Sequence, residues 1–117
     1  MNATWEGAAG RPRHLLVESQ GRADVGEFGF RRDAVALAAA GRGVLLYLVQ
    51  DGVALALPGS DERLDAFQAA GGTLAADDFS LAQRGLADAP LRPRTQVAGM
   101  DDLARWVLDP DVQVVWH

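Results

Sequence analysis

The sequence contains no cysteine and no lysine, and it has few aromatic residues. The absence of cysteine from all 117 positions excludes disulfides, thiolate metal ligands and a cysteine nucleophile. Small secreted domains are often held together by disulfides, so we expect a chain of this size without them to be cytoplasmic. No apolar run approaches the ~20 residues that a membrane helix needs. The first residues also lack the apolar stretch of a signal peptide, so no membrane association is expected.

The charge balance is acidic, and all of the fixed positive charge is carried by arginine. Eleven arginines stand against 16 aspartates and glutamates, which gives a formal net charge of -5. Proteins that bind nucleic acids need clustered cations to contact phosphates, so direct binding to nucleic acid is not expected. The sequence also lacks the glycine spacing of a phosphate loop and the nucleophile elbow of a serine hydrolase. The length suits one domain with a single core.

Short apolar runs alternate with helical stripes along the chain, which predicts an α/β domain. Strands are predicted at 13–18, 43–49, 73–76, 94–97 and 112–116, with helices between them. Because the strongest runs are apolar on both faces, we expect a three-layer α/β/α sandwich around a parallel five-stranded sheet. Residues 1–12 are rich in Gly, Ala and Pro and lack this pattern. They are predicted to be a flexible N-terminal arm ahead of a domain that covers 13–117.

The residues that follow parallel strands meet at one edge of the sheet, where ligands of such folds bind. This rule predicts an acidic pocket built from Glu18, Ser19, Asp51, Gly52, Asp77 and Asp78. His117 follows the last strand and, as a terminal residue, is expected to fray. A metal site made by His117, Asp51 and Asp77 is chemically sensible, but isolated histidines are seldom ligands. We therefore expect no metal and no cofactor.

Asp77 and Asp78 lie where an apolar strand gives way to a helical pattern, and two interpretations are open. Acidic residues at a helix start accept hydrogen bonds from its free N–H groups and need no further function. Alternatively, Asp77 lies in the ligand pocket, where a carboxylate can bind a cation or accept a proton. One helix further back, Ser60 is the predicted N-cap, with Asp61 in the first turn.

Four residues are predicted to form a subunit interface: Phe28, Arg84, Trp106 and Trp116. Phe28 lies in a loop that leaves the predicted pocket edge, and the loop can serve as a lid or a subunit contact. Arg84 and Gly85 also have the simpler role of ending a helix, with glycine in the left-handed conformation. The two tryptophans are candidates for core packing as well as for an interface.

Three segments of the sequence resemble one protein family in the order in which that family has them. These are "LLYLVQDGVALAL" (45–57), "DDFSLAQRGL" (77–86) and "VQVVWH" (112–117). They resemble the strand and turn, the helix ending in Arg-Gly-Leu, and the terminal tryptophan region of the DsrE/DsrF/DsrH-like sulfur-relay family of the TusBCD type. The resemblance covers roughly residues 13–117. It implies a DsrEFH-like α/β fold and assembly into trimers or hexamers, either of one chain or with other DsrE-like subunits.

The resemblance also implies a catalytic position that this chain fills differently. Family members that carry sulfur hold it as a persulfide on a cysteine eight residues before the glycine of Arg-Gly, and that position here is Asp77. A persulfide needs a thiolate, so a carboxylate cannot carry the sulfur. The chain is therefore expected to be a non-catalytic structural or binding subunit rather than an enzyme. The alternative is a small-molecule or metal-dependent enzyme or sensor that uses Asp77 in the carboxyl-edge pocket.

Overall fold

The structure is a computed structural model that describes residues 11–21 and 28–117. Residues 1–10 of the predicted N-terminal arm lie outside the described residues, and so does the side chain of Phe28 from the predicted interface. The elements follow in the order β1 (His14–Glu18), α1 (Phe28–Ala39), β2 (Val44–Leu48), a 3-10 helix (Gln50–Ala56), α2 (Glu62–Ala69), β3 (Thr73–Asp77), α3 (Asp78–Gln83), β4 (Thr95–Ala98), α4 (Met100–Val107) and β5 (Gln113–Trp116).

All five strands are parallel and form one sheet in the order β4-β3-β2-β1-β5. The register places His14 of β1 beside Val44 of β2 on one side and beside Gln113 of β5 on the other. The predicted parallel five-stranded sheet is therefore confirmed. Each predicted strand is present, with bounds that differ by one or two residues.

Side chains that alternate along the strands supply two separate cores, one on each face of the sheet. Leu16, Leu46 and Leu74 point to the face covered by α1, α2, α3 and the 3-10 helix. Leu45 and Tyr47 point to the opposite face, which α4 covers. This arrangement gives the three layers of the predicted sandwich. In the part of the chain that the structure describes, one face carries several helices, whereas the other carries a single one.

The predicted start of α2 is corrected by the structure. The N-cap of α2 is Asp61 rather than Ser60, and the Asp61 side chain accepts a hydrogen bond from the N–H of Arg63. Ser60 instead donates to the carbonyl of Leu55 at 2.9 Å. The segment after β2 forms the 3-10 helix, which places Val53 and Leu55 in the core. Among the described residues, no helix is long and apolar enough to cross a membrane.

Candidate functional site

Asp77 is completely buried at the junction of β3 and α3, and both of its carboxylate oxygens are occupied. Oδ2 accepts hydrogen bonds from the backbone N–H of Ser80 at 2.9 Å and from its hydroxyl at 2.7 Å. Oδ1 accepts a hydrogen bond from the phenol of Tyr47 at 2.9 Å. The helix-cap interpretation of Asp77 is therefore confirmed. The carboxylate supports the fold and does not face an open pocket.

Tyr47 and Ser80 extend this buried hydrogen-bonded group to neighbouring elements. Burial raises the pKa of Tyr47 far above its usual value, and the hydrogen bond and negative charge of Asp77 raise it further, so the phenol remains protonated. The hydroxyl of Ser80 also accepts a hydrogen bond from the N–H of Gln50 at 2.9 Å, which joins α3 to the end of β2. Tyr47 packs edge-on against Trp106, with 6.3 Å between ring centroids.

Glu18, at the end of β1, belongs to a second buried group of charges. Its Oε1 accepts a hydrogen bond from Nε of Arg31 at 3.3 Å, and both side chains are fully buried. Nη1 of Arg31 donates to Asp61 at 2.9 Å, and Nη2 donates to the carbonyl of Gly21 at 2.8 Å. The arginine thus bridges two carboxylates from different elements. Glu18 is a structural acid at the base of the carboxyl edge.

The pKa of Asp61 reflects opposing effects. Burial alone raises the pKa of this carboxyl group, but hydrogen bonds from the backbone and side chain of Arg63 lower it, as do the charges of Arg63 and Arg31. The net result is a pKa below the ordinary value of 3.8. Asp61 is therefore ionised at neutral pH, as the buried arginine requires.

The remaining acids of the predicted pocket lie on the surface and do not converge with Asp77. Asp51 is exposed, and its Oδ1 accepts hydrogen bonds from Nε and Nη2 of Arg84, both at 3.1 Å. Asp78 is exposed at the start of α3. Gly52 is buried, and a Cβ added there would stand 2.2 Å from the carbonyl oxygen of Glu18. Glycine at position 52 is thus needed for close backbone packing.

A cavity of about 350 Å³ does open at the carboxyl edge, but its lining differs from the predicted pocket. The lining residues are Ser19, Val49, Gln50, Met100, Trp116 and His117. Only Ser19 was in the predicted set. The rule that identified this edge also favours Gln50 and His117, which follow strands. Met100 follows β4 and Trp116 ends β5, so both also lie at this edge. Whether the two line the same cavity depends on how α4 crosses the sheet, which the sequence does not reveal.

His117 is held firmly in place, so the prediction that it frays is wrong. Its N–H donates to the carbonyl of Val17, and its own carbonyl accepts hydrogen bonds from the N–H and hydroxyl of Ser19, both at 2.8 Å. The imidazole stacks on Phe30 with 4.8 Å between ring centroids. Its Nδ1 lies 3.5 Å from Oε2 of Glu18. The imidazole of His117, in contact with the buried carboxylate of Glu18, therefore forms one wall of the carboxyl-edge cavity.

The structure also bears on the metal site considered above and on the predicted interface residues. Within residues 11–21 and 28–117, no group of three or more His, Asp or Glu side chains could hold a metal ion.

Trp106 is a core residue with 2% exposure, so its side chain packs against the sheet and is not accessible to a partner subunit. Trp116 is 57% exposed. Arg84 lies at the end of α3, bonded to Asp51, and Gly85 takes the expected left-handed conformation with φ of 72°.

The parallel sheet with helices on both faces defines a three-layer α/β fold. The crystal structure of the ychN protein from E. coli has this fold and superposes with a TM-score of 0.79. The match covers 91% of this chain and 99% of that chain, with 20% sequence identity. At this identity, the likeness establishes the fold alone. No protein-family model matches the sequence, and no curated protein matches it either.

Proposed function

We propose that this chain is a DsrE-like sulfur-metabolism protein that acts as a non-catalytic structural or binding subunit of an oligomer. The observation that carries this proposal is the state of Asp77. The family resemblance assigns the sulfur-carrying cysteine to this position, and the residue present is a buried carboxylate with both oxygens bonded to Tyr47 and Ser80. The fold shared with ychN supports the same family.

A carboxylate at position 77 excludes sulfur transfer through a persulfide, but it does not exclude assembly into an oligomer. Sulfur transfer through a persulfide requires a nucleophilic thiolate, and the sequence has no cysteine at any position. Asp77 instead stabilises the β3–α3 junction. A subunit of this kind contributes surface and shape to a complex, and any sulfur chemistry of that complex belongs to a cysteine-bearing partner.

Exposed apolar side chains near the carboxyl edge support an assembly role. Phe79 on α3, Met100 at the start of α4 and Trp116 on the edge strand β5 are each more than half exposed. Large exposed apolar groups on a small domain mark interaction surfaces, and tryptophan and methionine are enriched in interface cores. Because Met100 and Trp116 line the same cavity, we propose that they form part of the subunit contact.

Native mass spectrometry of the protein purified from its own cells tests this function. We expect a trimer or hexamer, or a complex with a cysteine-bearing DsrE-like chain. Trp116→Ala should weaken that assembly at least about tenfold, because truncating a buried aromatic anchor costs about 2 kcal/mol or more. Leu108→Ala is the matched control, since Leu108 is also apolar and exposed but lies at the opposite end of α4. A monomeric wild-type protein would contradict the proposal.

The cavity beside His117 favours a second candidate function, a small-molecule sensor or enzyme. Its volume of about 350 Å³ falls within the ~300–1,000 Å³ typical of ligand pockets. Its apolar walls, Met100 and Trp116, face polar groups from Ser19, Gln50 and His117. The same mass spectrum distinguishes the two functions. A stoichiometric small molecule on a monomer favours this second candidate, whereas an oligomer without one favours the subunit role.

A further inference from the structure

The amino edge of the sheet, opposite the candidate site, contains a second cavity. It has a volume of about 370 Å³ and is lined by Arg13, His14, Arg42, Asp111 and Gln113. These residues come from the starts of three neighbouring strands, because β1 lies between β2 and β5. The register aligns His14 with both Val44 and Gln113, which brings the three strand starts to one level.

Arg13 and Arg42 differ from most arginines of this chain in having no carboxylate partner in the described ranges, 11–21 and 28–117. Within those ranges, six other arginines form ion pairs with aspartate or glutamate: Arg11, Arg31, Arg63, Arg84, Arg92 and Arg105. The chain has an excess of acids, with a net charge of -5, so carboxylates are not scarce. Two guanidinium groups at one cavity without such partners are therefore a distinctive feature.

The one carboxylate that lines the cavity is already engaged by a different arginine. Oδ2 of Asp111 lies 3.0 Å from Nη2 of Arg11, and the other amino group of Arg11 lies 3.0 Å from Asp109. In the structure Asp111 is thus paired with Arg11 rather than with Arg13 or Arg42. The cavity therefore combines two arginines available for a ligand with the imidazole of His14 and the amide of Gln113.

The backbone around the cavity positions both arginines. Arg42 lies between Gly41 and Gly43, which have φ values of 73° and 69°, in the left-handed region that favours glycine. The carbonyl of Gly43 accepts hydrogen bonds from the N–H of Arg13 at 2.9 Å and of His14 at 3.3 Å. A Cβ added at Gly43 would lie 3.5 Å from Cγ of Arg13, so the stem of Arg13 packs over this glycine.

We propose that this amino-edge cavity binds a small oxyanion, a phosphate or sulfate group, between the guanidinium groups of Arg13 and Arg42. Guanidinium groups present planar pairs of N–H donors that match oxyanion geometry. The imidazole of His14 and the side-chain amide of Gln113 supply further polar groups beside it. The volume leaves room for a small organic group on the anion. This inference is independent of the proposed function, which concerns the opposite edge.

Titration of the intact ¹⁵N-labelled protein with inorganic phosphate, followed by amide NMR shifts, tests the site. We expect saturable shifts at the amides of Arg13, His14, Arg42 and Gly43. Arg13→Gln and Arg42→Gln should each weaken phosphate binding about tenfold or more, because each removes charge-assisted hydrogen bonds to the anion. Both arginines are exposed, so the amide spectrum away from the site should remain unchanged in the two variants.

Arg32→Gln is the matched control, because Arg32 is exposed on α1, lines a groove with Val35 and Arg63, and has no carboxylate partner in the described ranges. This variant removes the same charge and should bind phosphate like wild type. Equal weakening by Arg32→Gln, or no saturable shift with phosphate or sulfate, would overturn the proposal. Glycerol 2-phosphate identifies the source of the anion. Tighter binding than phosphate supports an organic phosphate ligand, and equal or weaker binding supports a free inorganic oxyanion.

Discussion

Asp77 is a buried side chain that stabilises the fold at the position to which the family resemblance assigns a reactive cysteine. Its carboxylate receives the phenol of Tyr47 on one oxygen and two donors of Ser80 on the other. A buried carboxylate is tolerated only when hydrogen bonds replace its lost hydration. Because its three donors belong to Tyr47 on β2 and Ser80 on α3, Asp77 at the end of β3 links these three elements.

Removing this carboxylate should destabilise the protein markedly. Asp77→Ala leaves the buried N–H of Ser80 without its acceptor, leaves the Tyr47 hydroxyl only the carbonyl of Ala98 at 3.4 Å, and removes the helix cap, so we expect a loss of about 2–4 kcal/mol. Asp78→Ala is the control, since Asp78 is exposed in the same first turn, and its loss should cost at most about 1 kcal/mol. Urea denaturation measures both. A similar cost for the two variants would contradict the structural role of Asp77.

Only part of the hydrogen bonding around Asp77 can be predicted from the sequence. Acids at the strand-to-helix junction predict a cap, because capping depends on residues three positions apart in the chain, here Asp77 and Ser80. The contribution of Tyr47 cannot be predicted in this way. Tyr47 looks like one more apolar strand residue, and its hydroxyl meets Asp77 only because β2 and β3 are neighbours with a particular register. The exposed acids Asp51 and Asp78 follow strands too, so the edge rule gave them the same weight.

The group formed by Glu18, Arg31 and Asp61 acts between elements. One guanidinium on α1 joins the end of β1 to the N-terminus of α2, and all three side chains are nearly or fully buried. Breaking one member of a buried ion pair leaves an uncompensated charge, which is far more costly than losing an exposed pair. The three elements are therefore coupled by charge as well as by apolar packing.

This coupling predicts a specific loss of stability in acid. The pKa of Asp61 is lower in the folded protein than the ordinary value of 3.8. Such a group stabilises the fold fully above the unfolded pKa, and the contribution is lost as the pH falls through the folded pKa. Unfolding free energy measured from neutral pH downward should therefore fall below about pH 4. The fall should be less steep in Asp61→Asn, because asparagine can cap the helix but does not titrate.

Asp88→Asn provides the comparison for that experiment, because Asp88 is exposed between α3 and β4. Its pH profile should match that of the wild type. If Asp61→Asn also follows the wild-type profile, the acid sensitivity does not arise from Asp61.

Individual elements are largely predictable from the sequence, whereas their exposure is not. Apolar runs identify β1, β2, β3 and β5, because a buried parallel strand needs apolar residues on both faces. The run 112–116 has the same appearance, yet β5 is an edge strand and its Val115 and Trp116 are half exposed or more. Strand order depends on contacts between distant parts of the chain. The pattern within one strand therefore cannot reveal which strand lies at the edge.

The whole molecule is asymmetric about its sheet, and the asymmetry bears on assembly. Among the described residues, three helices and the 3-10 helix cover one face, whereas α4 alone covers the other. Leu103 and Trp106 of α4 face the sheet, while Met100 remains exposed beside Trp116 of β5. Trp116 pairs with Val17, whose side chain belongs to the core on this face, yet Trp116 is 57% exposed. The proposed contact lies in this region.

If a subunit contact covers Met100 and Trp116, stability should depend on protein concentration. Association stabilises the folded state by mass action, so the Tm of the wild-type protein should rise as concentration increases. Trp116→Ala should reduce or abolish this dependence without lowering the Tm of the dilute protein, because the side chain is 57% exposed within one chain. Leu108→Ala should keep the dependence. Calorimetry across a hundredfold concentration range measures the effect, and a wild-type Tm that does not change across it would place this surface outside any interface.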